Sequence, residues 1–417
     1  MSSGPEPIER SPLLEVDSAR SRMLAGVLPL ESEPVDLHDA PGRVTAGAVA
    51  AEVDFPGFDN SAMDGFAVRA GDVGSATADA PVELAVVGES RAGLPWTGCL
   101  GSGEATGIST GAMVPEGADA IVRVEDVAAA AGGISVSQGV EPGHDIRRRA
   151  EVARAGDEVI ERGRRLGPVE LGVLATAGCG LVSCHRRPRV ALLTSGDELV
   201  EPGAELGPGQ IWNSNSPVIS AMIREAGGEV VCTESVPDRR GATIEALERA
   251  LDSDITVICG GVSVGKHDHV KPALAELGIE QRFWGIALKP GRPAWYGTRG
   301  DSRVLGLPGN PVSALVVFRL LAFPLLRVLS GEAGEPARIT GRLAAPVGRL
   351  SGRMRAVPCL ITADHPDGDL LPLPQLGSHD FLSLRGAQRF ALVPAGSGQA
   401  AAGDVVETVP LGADNMA

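Results

Sequence analysis

The chain has 417 residues, 43% apolar and only 3% aromatic, enough for three or four modules with aliphatic cores. Its net charge of −16 argues against a general nucleic-acid binder or a membrane-surface protein, so an anionic ligand must be held by local cations. The six cysteines (Cys99, Cys179, Cys184, Cys232, Cys259, Cys359) form no CxxC pair and no zinc-spaced cluster, which points to free thiols in a reducing, cytoplasmic setting.

Residues 1–12 are polar and hold three prolines, which predicts a disordered tail with no signal peptide. Apolar residues at helical spacing predict a helix over Leu13–Leu28, and Pro41-Gly42 marks a turn. Val44–Val53 suits a helix end or an extended segment. Residues 54–65 form a dense polar and glycine motif. Short runs at Val82–Val87, Ala105–Ser109, Ala120–Arg123 and Ile134–Ser137, parted by glycine turns, predict a β-rich lobe over 54–140. Ala128–Gly133 reads as a flexible, low-complexity break. The segments 13–53 and 141–188 read as one linker domain. The second carries Arg147, Arg148 and Arg149, then Arg162, Arg164 and Arg165, a solvated face or a basic wall for an anion. Pro168–Gly178 predicts a helix ending at glycine.

Residues 189–330 alternate strand and helix. Strands are predicted at 189–194, 229–236, 255–260, 282–288 and 303–307, with helices at Pro217–Ala226, Thr243–Leu251, Val270–Leu277 and 312–329. That alternation predicts a parallel sheet with helices on both faces. The apolar stretch Ala314–Leu329 is interrupted by Arg319, Pro324 and Arg327, a poor transmembrane span. After a linker at 331–336, short strands with many turns predict a C-terminal β-barrel over 331–417. The fold class is multidomain α/β.

Three glycine turns follow apolar strands: Thr194-Ser195-Gly196-Asp197-Glu198, Gly260 to Asp268, and Leu307 to Ser313. In an open α/β sheet such loops form the ligand crevice, where bare N–H groups and helix starts hold phosphate. Ser195, Gly196, Gly260, Gly261, Ser263, Pro308, Asn310, Pro311 and Ser313 are therefore candidate binding residues. An acid beside phosphate needs a cation between them, so Asp268 with Asp197 or Glu198 is a candidate Mg²⁺ site, against the alternative that one of these acids caps a helix. His267 and His269 flank Asp268, but adjacent side chains on a helix diverge. Lys289-Pro290-Gly291-Arg292-Pro293 is a rigid loop presenting two cations, suited to a tetrahedral oxyanion.

The segment Pro56-Gly57-Phe58-Asp59-Asn60-Ser61-Ala62-Met63-Asp64-Gly65-Phe66-Ala67-Val68 resembles the N-terminal signature of MoeA-type molybdopterin molybdenumtransferases, relatives of the gephyrin E domain. Ser109-Thr110-Gly111-Ala112, Val114-Pro115 and the 194–198, 260–268, 289–293 and 307–313 segments follow in the family's order, so the resemblance spans about residues 13–410. It implies insertion of molybdenum from molybdate into adenylylated molybdopterin, with Mg²⁺ and release of AMP. It also implies four domains and an elongated homodimer, with the site between the α/β domain of one subunit and the N-terminal lobes of the other. The pathway's adenylyltransferase is an expected partner; nucleic acid and membrane are not. By matched position, Asp64, Thr110, Glu198, Asp238, Asp268 and Lys289 take catalytic roles, with Pro308 and Pro311 on functional motif sites. Lys289, Arg292, Pro293 and Ser313 would line the molybdate pocket, completed by Arg353 and Ser378. Lys271 or Lys266 would stand in for a lysine that many members carry at Gly285. Arg292 replaces a frequent lysine, Phe66 a frequent tyrosine, and Asp238 is followed by Arg239 rather than a second acid. A molybdopterin adenylyltransferase would share the α/β domain but lack the 54–68 signature. A non-catalytic gephyrin-like scaffold would tolerate loss of the acids that are all present here.

Overall fold

A computed structural model describes residues 13–262, 269–332, 339–350, 352–362, 369–396 and 398–412. Their described parts form two compact units: Met1–Glu33, Gly42–Ala46 and Cys184–Ala417 in one, Pro34–Pro41 and Gly47–Ser183 in the other.

The larger unit is built on a six-stranded sheet ordered Glu229–Val236, Arg189–Ser195, Ile255–Cys259, Ser302–Leu307, Trp295–Arg299, Glu280–Trp284. The first four strands are parallel, as the alternation predicts. The last two are antiparallel, so the sheet is mixed rather than wholly parallel. Both faces are covered. Val190 and Leu192 point into a core with helices Asn215–Glu225 and Pro311–Val317, while Ala191 and Leu193 meet Ala246, Leu247, Ala273 and Leu274 on the other face. This is the period of two that a strand imposes.

The predicted strand at 282–288 is split. Gly285 has φ +82°, a left-handed conformation that ends the strand at Trp284. Leu288–Lys289 then pairs with Met354–Arg355 of the C-terminal sheet. That sheet closes into a barrel of Met354–Thr362, Asp369–Pro372, Ile339–Leu343, Val405–Pro410 and Arg389–Val393. Its interior is filled by Leu343, Val357, Cys359, Leu370, Ala391 and Val406.

The N-terminal helix is shorter than predicted, Val16–Leu24, and buries Val16, Ala19 and Met23. Helix Pro311–Leu329 is long and apolar enough to cross a membrane, yet 89% of its apolar window is buried inside the protein. Arg319, which interrupts it, is itself buried, bonded to Glu225 Oε1 at 2.7 Å and stacked on Phe323. A π-helical turn, Phe318–Ala322, accommodates Pro324, which cannot donate to the regular ladder.

The smaller unit holds a second six-stranded sheet: Ala120–Arg123, Gly65–Val68, Glu104–Ile108, Val82–Ser90, Gly133–Val136, Val127–Ala130. The stretch read as a flexible break is instead an antiparallel hairpin, Val127–Ala130 against Gly133–Val136. Alanine-rich composition hid the anchoring of Ile134 and Val136 in the core with Leu84, Ala105 and Val122. Helix Pro168–Thr176 lies in this unit.

Candidate active site

The three glycine turns of the larger unit, the second described as far as Val262, converge at the carboxyl ends of its parallel strands. Gly260 has φ +92°, and a Cβ there would sit 2.6 Å from the Ser195 carbonyl oxygen. A Cβ on Gly309 would lie 3.7 Å from the Gly260 Cα. Gly260 N–H donates to the Leu307 carbonyl at 3.1 Å. The contact with Ser195 excludes a side chain at position 260, whereas Gly309 has room for a Cβ.

The turns floor a cleft of about 740 Å³ whose wall includes Ser195, Gly196, Glu198, Asp238, Gly260, Gly261, Pro293, Pro308, Asn310 and Pro311. These are ten of the residues expected from sequence. Asp238 is held in place: Ser195 Oγ donates to its Oδ1 at 2.7 Å, and its own N–H donates to Asp197 Oδ1 at 3.1 Å. Asp197 thus works as a backbone acceptor and does not line the cleft with Glu198. Among the described residues no group of three or more His, Cys, Asp and Glu comes together for a metal ion. Ser263 and Asp268, with Lys266 and His267, lie outside the described residues. The two acids on the wall, Glu198 and Asp238, still present hard oxygen donors of the kind Mg²⁺ takes.

The helix start at Pro311 offers fewer bare amides than its sequence suggests. Pro311 has none, and Val312 N–H donates to the Ser378 carbonyl at 3.1 Å. Asn310 Nδ2 donates to Ser378 Oγ at 2.8 Å, so the barrel's 377–380 turn is tied to this helix start. Ser313 is buried in the helix's first turn. Lys289 and Arg292 are exposed, and Gly291 between them packs on the long helix, where a Cβ would meet Val317 Cγ2 at 2.7 Å. Lys289 pairs with Arg355 in the barrel sheet, two residues from Arg353. None of Lys289, Arg292, Arg353, Ser313 and Lys271 is on the cleft wall.

Lys271 Nζ lies 5.0 Å from the Trp284 ring centroid, and Trp284 Nε1 donates to the Val262 carbonyl at 2.9 Å. Gly285 follows this tryptophan. A Cβ there would lie 3.0 Å from Leu13 Cδ2 on a left-handed backbone, so a lysine would be strained in this chain.

Sequence reasoning overlooked Asn213, Asn215, Trp212 and His379 on the wall. Asn213 Nδ2 donates to Thr194 Oγ1 at 2.9 Å, and Asn215 Nδ2 to the Gly309 carbonyl at 2.7 Å, cross-linking two turns. The signal was the Asn-Ser-Asn run before Pro217. Helix Asn215–Glu225 begins two residues earlier than predicted and brings that run to the cleft.

In the smaller unit, Asp64 and Thr110, far apart in sequence, come together: Thr110 N–H donates to Asp64 Oδ1 at 2.7 Å. Three of the six arginines read as a solvated face or a basic wall are paired with acids. Arg148 Nη1 bonds Asp59 at 2.7 Å, Arg149 Nε bonds Asp54 at 2.6 Å, and Arg164 bonds Glu170 at 2.7 Å. The Arg149 amide and the Arg148 guanidinium hold Asp59 below the usual carboxylate range, against the opposing pull of burial. All six cysteines are free, and burial pushes the Cys259 thiol at the cleft floor up to about 12.

Residues 14–178 match the MoeA N-terminal region (domain I and II), and residues 191–328 a probable molybdopterin binding domain. The molybdopterin molybdenumtransferase of Haemophilus influenzae is 37% identical over 77% of this chain and 78% of its own length. That of Synechococcus elongatus is 36% identical over 96% of this chain and 100% of its own. The crystal structure of the molybdopterin biosynthesis MoeA protein from Pyrococcus horikoshii is 32% identical, covers 96% of this chain and 99% of its own, and superposes with a TM-score of 0.80. With both regions matched in order, and the Synechococcus relative covered over its whole length at 36% identity, the chain belongs to the MoeA family of molybdopterin molybdenumtransferases.

Proposed function

We propose that this protein is the transferase that inserts molybdenum from molybdate into adenylylated molybdopterin, releasing AMP, in the cytoplasm. The observation that carries this is the cleft of about 740 Å³ floored by three glycine turns and edged by Glu198 and Asp238, in a chain of this family. A phosphoanhydride suits bare backbone amides and a helix start. The pterin's two thiols displace one oxygen of molybdate, which leaves as water carrying both thiol protons. Water cleaves the anhydride to AMP and the pterin's phosphate.

Mg²⁺, when bound, supplies positive charge between phosphate oxygens, and Glu198 and Asp238 would hold it, with Asp268 as a third acid. Ser195 fixes the Asp238 carboxylate for that task. Lys289 and Arg292 would hold molybdate, with Pro293, Ser313, Arg353 and Ser378 around it, and Lys271 would offset phosphate charge. Asp64, braced by the Thr110 amide, would orient ligand or water. Positioning and electrostatics would supply the rate, with no covalent enzyme intermediate.

Homodimer formation is part of the proposal. Helix Pro168–Thr176 is strongly apolar yet buries only Leu174, leaving Val169 and Val173 exposed. Val169→Glu should shift the protein towards monomer in light scattering. The function is tested by incubating purified protein with adenylylated molybdopterin, molybdate and Mg²⁺ and measuring AMP and active cofactor. Asp238→Asn should lower the rate about 100-fold. A wild-type rate in both Asp238→Asn and Glu198→Gln would refute the roles given to these acids.

A further inference from the structure

We infer that Trp212 is a stacking platform for one of the fused heterocycles of the substrate, an inference that rests on the function proposed above and adds a binding residue to its cleft. Ile211–Trp212 pairs in parallel with Leu199–Val200, and Leu199, Ile211 and Trp212 all line the cleft. The indole N–H donates to the Ala204 carbonyl at 3.0 Å. That bond satisfies the ring's polar edge and fixes its orientation, leaving apolar faces to be covered. Trp212 is nonetheless 53% exposed and Ile211 54%.

The other tryptophans are engaged elsewhere. Trp295 is buried and bonded to Gln281, Trp284 carries Lys271 on its ring, and Trp96 lies against Gly88 and Gly98. In a chain only 3% aromatic, the half-open indole stands at the wall of the cleft that takes the ligand. The rest of that wall is largely glycine, proline and hydrogen-bonding side chains, with Leu199, Ile211 and Val262 as its aliphatic members, so the indole is the broad flat apolar face it offers. An indole face serves any fused heterocycle, because each presents a π-face. Adenine and pterin share this chemistry.

The test is calorimetric titration of wild type, W212F, W212L and W212A with AMP and, separately, with a free pterin, alongside steady-state kinetics. W212A and W212L should lose about 5- to 150-fold in affinity for one of the two ligands, and W212F less. A loss confined to AMP assigns adenine to the indole; a loss confined to the pterin assigns the pterin. KM for adenylylated molybdopterin should rise by a similar factor while kcat stays within about twofold, since stacking is uniform binding. W212L keeps apolar bulk at the lip, so its loss of binding with unchanged melting separates stacking from folding. Wild-type affinity for both ligands and unchanged KM in W212L, while the wild type turns over, would overturn the inference and leave the function standing. No turnover and no AMP binding by the wild type would overturn both.

Discussion

The α/β cleft and the arginine-rich segment of the smaller unit use polar groups in opposite ways. In the cleft, close backbone contact and shared hydrogen bonds place groups for a ligand: Gly260 rests on Ser195, and Ser195 holds Asp238. In the arginine-rich segment, three of the cations are taken up by acids, Arg148 with Asp59, Arg149 with Asp54, Arg164 with Glu170. A run of cations in a sequence is therefore poor evidence for an anion site on its own, and close backbone approach alone does not mark one either, since Gly65 and Gly133 in the smaller unit's sheet are as tightly packed as Gly260; what singles out Gly260 is its place at a strand end on the cleft wall. Asp64 with Thr110 in the smaller unit is a backbone-to-carboxylate contact, as is Asp59 with the Arg149 amide.

The sharpest way to break this contrast is at the glycines. Gly260→Ala must add a Cβ against a carbonyl on a left-handed backbone, and should cost about 2–5 kcal/mol in urea denaturation. Gly103→Ala, at φ +76° but with nothing within 4 Å, should cost only about 1–2 kcal/mol. Equal costs would remove the special status of the cleft glycine.

Next in size is Asp254 of the larger unit, which accepts two bonds from Arg186 and one from the Arg189 amide. Burial raises its pKa, but these bonds outweigh burial and hold the carboxyl below the usual range. The folded value lies below the unfolded one, so its stabilisation is complete above about pH 4 and drains as pH falls through the folded value. Asp254→Asn should cost about 1.5–3 kcal/mol at pH 7 and flatten the acid limb of the stability curve. Arg148→Ala breaks a far more exposed pair and should change stability by no more than about 1 kcal/mol, with activity retained. A large loss of activity there would restore the basic-wall reading.

The smallest effect concerns thiols. Exposed Cys99 should alkylate readily at pH 8, while Cys259 and Cys359, whose thiols burial pushes up to about 12 and about 11, should not react in the native protein. Mass spectrometry of labelled protein reads this directly.

Much of the fold was legible because strands covered on both faces read as continuous apolar runs, as in Val190 to Leu193, all four buried. Trp295–Arg299 was not. It is short, holds a glycine, and gains its place only by pairing between Ser302–Leu307 and Glu280–Trp284. The cleft was legible where glycines follow strands. His379 was hidden because it reaches the cleft from a turn tied down by the bond between Asn310 and Ser378, a contact with no local sequence signal. Trp212 was hidden because two residues of strand leave no periodicity to read.

The most direct measurement is a crystal soaked with AMP, molybdate and Mg²⁺, examined for anomalous scattering from molybdenum. The account predicts the AMP phosphate against Gly260 and Gly261, and the metal peak within reach of Lys289 and Arg292. Ordered AMP or molybdenum bound only elsewhere, with the glycine turns empty, would contradict it.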